Sequence, residues 1–114
     1  MPPTDDATPF EKHGPEDVPE GFIAELAELG LRRALSAVER HDPPDVEAFV
    51  AETAVGQVRI EAERKLATND HNYDIPRGVQ YEDVLRAVYD ELPKVAADEH
   101  GYDIDVAPHV DVER

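Results

Sequence analysis

The sequence predicts a mainly helical, α+β domain: three helices, the first two folded back as an antiparallel hairpin, then a short C-terminal β-strand or hairpin. Three observations predict it. Apolar residues recur at helical spacing through three segments. A proline-bearing junction of about two residues separates the first two of them, too short for anything but a tight reversal. After Gly101 the apolar period falls from helical to alternate, the pattern of a half-buried strand. At 114 residues the chain builds one core.

Residues 1–19 are expected to be an acidic, proline-rich and mostly flexible arm, with one helical turn available at Thr8–Glu11 from its capping-box spacing. Residues 20–114 are expected to be the single helical domain. Helix 1 spans about 20–41. Its apolar residues, from Phe22, Ile23 and Leu26 to Leu35 and Val38, cover more than half of the helical circumference. Such a helix is either the central one of its domain or touches its own core on one side and another subunit on the other. Ala27, Gly30, Ala34 and Ala37 form a small-residue seam on which a second helix can approach closely.

Asp42-Pro43-Pro44 reads as an N-cap with prolines in the first turn of helix 2, which spans about 43–67. Val46, Phe49, Val50 and Ile60 define its expected apolar face, and Gly56 marks a break or a close contact. Residues 69–78 form a loop in which His71, Tyr73 and Ile75 alternate with polar residues, so a short extended piece is expected. Helix 3, about 80–100, carries the cleanest stripe: Tyr81, Val84, Leu85, Val88, Tyr89, Leu92, Val95 and Ala96. Pro93 is expected to kink or restart it, because proline cannot donate to the carbonyl of Tyr89. Gly101 stands where a left-handed C′ residue belongs, with Tyr102 folding back over the last turn. Tyr102, Ile104, Val106, Val110 and Val112 then form the buried parity of the strand, whose partner is the 71–75 segment or the same strand of a second subunit.

The composition defines an environment. There are 27 acidic against 11 basic side chains, a net charge of −16, and only three of the basic residues are Lys. The acid is spread along the chain while 40% of the residues are hydrophobic at regular spacing, which argues for a folded halophilic protein instead of a disordered one. Carboxylates this dense repel one another at low salt, and molar salt screens them within about 3 Å. No Cys is present, which removes disulfide, thiolate-zinc and thiol-nucleophile chemistry. No apolar run approaches a membrane span and no secretory pattern opens the chain, so a cytoplasmic location is expected.

Glu28–Arg32, Glu61–Lys65, Glu82–Arg86 and Asp90–Lys94 are i, i+4 pairs with the acid first, a local explanation for those cations. Arg33, Arg40, Arg64 and Arg77 have none, and they are too few for a phosphate-tracking surface, so nucleic acid is not an expected partner. Thr53, Gln57 and Arg64 lie at the centre of helix 2's expected apolar face with Glu61 beside them. They are either exposed beyond the core, a polar cluster fixing a subunit contact, or a ligand pocket. His41 and His100 sit in last turns, where an imidazolium suits the helix dipole. Asp70–Asp74 concentrates possible metal ligands around His71 but lacks the glycine and distal glutamate of a calcium loop, and no histidine pair has zinc spacing. No metal or cofactor is expected, and neither a nucleophile elbow nor a nucleotide-binding glycine motif is present.

The function expected is that of a small cytosolic interaction or regulatory module, a homodimer with a further protein partner. The rival expectation is a protein or enzyme acting on a small anionic metabolite. Its site would gather Arg33, Thr53, Gln57, Arg64 and Arg77 as binding groups, with His71 as the candidate acid or base.

Overall fold

The structure, a computed structural model, describes residues 14–69 and 71–110. Its helices are α1 (Glu20–His41), α2 (Val46–Thr68) and α3 (Tyr81–Val95). The expected helical turn at Thr8–Glu11 lies outside the described residues. Within 14–19, Val18 is buried in the core.

Helices α1 and α2 form the expected antiparallel hairpin, and the side chains that meet across it fix its direction. Glu25 pairs with Lys65 at the open end, Gly30 lies against Ala54 and Val58, and Arg33 meets Gln57. The small-residue seam is what brings the axes together. A Cβ on Gly30 would stand 2.8 Å from Val58 Cγ2 and 3.1 Å from the Ala54 carbonyl oxygen, closer than real side chains come. Ala27, Ala34 and Ala37 are buried on the same face. The junction is capped differently from the sequence expectation. Asp42 takes a left-handed conformation (φ 47°) as the C-cap of α1, and Asp45 caps α2 by accepting a hydrogen bond from the Ala48 amide at 3.2 Å. Both prolines therefore precede the first turn of α2.

Most of the wide apolar arc of α1 is covered within the chain: α1 packs on both α2 and α3, and Ile23, Leu35 and Val38 lie against the core. It is the central helix. The face of α2 departs from the expectation. Val50, Ala51, Ala54, Val55, Val58 and Ala62 turn inward with Glu61 and Lys65, while Ile60 is 55% exposed. Small residues win because the close seam with α1 leaves room for Ala and Val but not for Ile. Gly56 neither breaks the helix nor meets a neighbour, since a Cβ there finds nothing within 4 Å.

Helix α3 opens on a capping box in which Asp83 accepts from the Gln80 amide at 2.8 Å. Its stripe packs inward as expected, with Val84, Val88 and Leu92 fully buried. The helix runs through Pro93 without interruption. The disturbance is displaced to residues 96–100, where the backbone widens into a π-helical turn, and the Ala96 amide is shared between the carbonyls of Leu92 and Pro93. Gly101 (φ 75°) then ends it, with the Tyr102 amide donating to the Ala96 carbonyl at 3.0 Å, the fold-back that the sequence predicts.

The C-terminal β-strand expected over 102–112 is corrected by the structure. Among the described residues there is no strand, either here or at 71–75. Ile104 and Val106 are buried and Asp103 and Asp105 exposed, so the alternation is real, but it comes from an extended segment laid on a helical core. An extended chain alternates its side chains whether or not another strand pairs with it. A turn at Ala107–His109 ends the segment, and Asp111 onward lies outside the described residues.

Candidate functional site

The polar residues singled out on α2 lie at the edge of the α1–α2 seam, gathered around one carboxylate. Glu61 is 5% exposed. Its Oε2 accepts from Arg33 Nη1 at 2.6 Å, and its Oε1 accepts from Arg64 Nη2 at 2.8 Å and Nε at 3.2 Å. The same Arg33 Nη1 donates to Gln57 Oε1 at 3.1 Å. A buried carboxylate must be paired. Here the pairing comes from the facing helix and from one turn further along α2. Hydrogen bonding by Arg64 holds the Glu61 carboxyl below the usual carboxylate range; burial pushes the other way, and Arg33 adds to the lowering.

Arg33, Thr53 and Gln57 line one shallow groove of about 290 Å³, together with Ser36, Ala37 and Arg40. Arg64 is exposed and is tied to Glu61, outside the lining of the groove. His71 and Arg77 do not join. The His71 ring sits over Phe22 with centroids 5.2 Å apart and beside Tyr73 at 6.4 Å, and its Nδ1 accepts from the Tyr73 amide at 3.2 Å. Phe22 and Arg33 are eleven residues apart on α1, about 16 Å along its axis. Arg77 is exposed in the loop before α3. The assembly of six residues expected for an enzyme is thus divided between the groove, the Glu61 clasp and the loop.

Other expected local pairs are redirected by the fold. Lys65 reaches Glu25 at 3.6 Å, and His100, expected as a helix cap, places Nε2 3.2 Å from Glu28 on α1. Glu28 also keeps its predicted partner, Arg32, at 3.1 Å. Around Glu25 the Tyr73 hydroxyl donates to the carboxylate at 3.0 Å, which pushes the phenol up and keeps it protonated. Among the described residues no group of three or more His, Asp or Glu is placed to hold a metal ion, and no helix is long and apolar enough to cross a membrane.

A second concavity, of about 690 Å³, lies between α3 and the C-terminal segment. Its apolar lining comes from Leu85, Tyr89, Pro93, Val106 and Val110. Its charged lining has both signs, Arg59 and Arg86 with Glu82, Asp90 and Asp105. Arg59 Nε donates to the Tyr89 hydroxyl at 3.2 Å, and the Tyr81 hydroxyl donates to the Arg59 carbonyl at 3.2 Å, so the α2–α3 edge is pinned. Sequence reasoning missed this groove, because its walls come from segments far apart in the chain. It also left Arg40 and Ser36 out of the first one, although Arg33 and Arg40, seven residues apart on α1 and without local acids, carried the signal.

No protein-family model matches the chain, and neither the curated proteins nor the solved structures contain a match to it.

Proposed function

We propose that this chain is a small halophilic interaction or regulatory module of the cytoplasm, working as a homodimer that presents a surface to a further protein partner, with no identifiable catalytic motif. The observation that carries this reading is the groove beside α3. Its lining of Leu85, Tyr89, Pro93, Val106 and Val110 gives a second copy a concave apolar surface to cover. A two-fold interface sets one surface against itself and therefore needs charges of both signs. Arg59 and Arg86, lining the groove together with Glu82, Asp90 and Asp105, meet that need on a chain whose net charge of −16 would otherwise drive two copies apart. Molar salt screens that repulsion and leaves the apolar contact in force. The two dimer routes expected from sequence draw less support, because α1 packs largely on its own chain and among the described residues the C-terminal segment forms no strand.

Light scattering in molar KCl tests the reading. The wild type is expected to be a dimer at tens of micromolar. Ala107→Glu, an exposed substitution in the groove lining, is expected to be a monomer of unchanged helicity. A monomeric wild type, or a dimer indifferent to this change, overturns the groove as interface.

The second reading, a protein for small anionic metabolites, draws support from the hydrogen bond that joins Arg33 to Gln57 across the hairpin. With His71 packed on Phe22 it becomes a binding function without an acid or base.

A further inference from the structure

The groove at the closed end of the α1–α2 hairpin has a charge unlike the rest of the molecule. The chain carries 27 acidic residues, yet none of the six lining residues is acidic and two are Arg. Glu61, the carboxylate paired with Arg33, shares its single charge with Arg64 as well, while Arg40 bonds the neutral Ser36 hydroxyl and keeps its charge. Positive charge therefore remains at this spot after the internal pairing is counted.

The hydrogen-bonding groups agree with the charge. Arg33 uses Nη1 for Gln57 and Glu61, and Arg40 uses Nη1 for the Ser36 hydroxyl at 3.2 Å. A guanidinium has five N–H donors, so Nη2 and Nε of each remain to bind something else. Because Arg33 can only donate, the atom of Gln57 that it meets must be the oxygen, and this leaves the Gln57 amide nitrogen as a further donor. Thr53 adds a hydroxyl. The lining is rich in donors and its acceptors are mostly occupied, the converse of what a cation needs.

We infer that this groove is a binding site for a small oxyanion, a phosphate monoester held between the Arg33 and Arg40 guanidinium groups with Gln57 and Thr53 completing the donor set. At about 290 Å³ it lies at the small end of ligand pockets, which suits a compact metabolite. The inference rests on the second functional reading, which it narrows to one ligand class, and is independent of the dimer. Gln57 and Arg59 are two residues apart on α2 and so point to nearly opposite sides of it, placing the anion groove away from the α3 groove.

The experiment is a titration with inorganic phosphate at constant ionic strength in KCl, following amide resonances by NMR. The wild type is expected to show saturable shifts confined to residues 33–40 and 53–57. Arg40→Gln, which leaves the Glu61 pairing intact, should weaken binding about tenfold, the scale of one charge-assisted hydrogen bond. Arg77→Gln, exposed in the loop before α3 and lining neither groove, should bind as the wild type does. Absence of saturable shifts, shifts centred elsewhere, or equal affinity in Arg40→Gln overturns the assignment. The dimer is read by light scattering, so either proposal can fail without the other.

Discussion

Helices α2 and α3 bury their faces by different means. Helix α3 buries a continuous stripe of Val84, Val88 and Leu92 that its sequence announces, and the one charged side chain it buries, Asp83, is spent on capping its own first turn. Helix α2 buries mostly Ala and Val and takes two charged side chains, Glu61 and Lys65, in with them. The difference lies in the partner surface. A helix that meets a seam of Ala and Gly comes close to it, so small residues fill the interface and long charged ones reach across its edges to Arg33 and Glu25. Apolar bulk identifies a buried face only where the interaxial gap is wide enough to need it.

The largest effect expected from breaking either side of this contrast is at Leu92, fully buried on the α3 stripe. Leu92→Ala should cost about 2–5 kcal/mol, the range for a core cavity. Urea unfolding in molar KCl measures it, and a loss near that of a surface substitution would remove α3 from the core. On the close side, Gly30→Ala drives a methyl into Val58 and the Ala54 carbonyl. It should cost about 1–3 kcal/mol although alanine is the better helix former. A stabilised Gly30→Ala would refute the close seam.

The clasp at Glu61 is tested by acid. Its carboxyl pKa is depressed in the folded chain, so the unfolded chain takes up a proton first as pH falls below about 4.3. The clasp therefore contributes fully at neutral pH and is lost as pH drops through the folded value. Glu61→Gln should remove about 1–3 kcal/mol at neutral pH and flatten the acid limb of the stability profile. An acid limb identical to the wild type would show that Glu61 is not a source of it. The smallest effect is at Gly56, where space is open. Gly56→Ala should stabilise α2 by up to about 1 kcal/mol, opposite in sign to the same change at Gly30.

Two grooves remain after the helices have packed, and they divide the chemistry between them. The one beside α3 offers apolar surface with a mixed rim. The one at the hairpin offers donors and residual positive charge. Only the second includes residues that the sequence singled out, because Arg33, Thr53 and Gln57 are conspicuous as polar groups within helical apolar patterns. Arg77 and His71 were equally conspicuous, but a loop has no period to say where its side chains go, and His71 found Phe22.

The local features of this protein were determined by its sequence alone. Three helices, the small-residue seam of α1, the stripe of α3 and the left-handed stop at Gly101 all follow from spacing and backbone preference over a few residues. Tertiary structure decided what depends on which surfaces meet. It turned Ala54 and Val58 toward Gly30, left Ile60 outside, shared the Glu61 carboxylate between two arginines and laid Ile104 and Val106 on helices without a strand. The physical reason is that period reports a residue's direction about its own axis, whereas burial and pairing depend on the distance and chemistry of a partner many residues away in the chain.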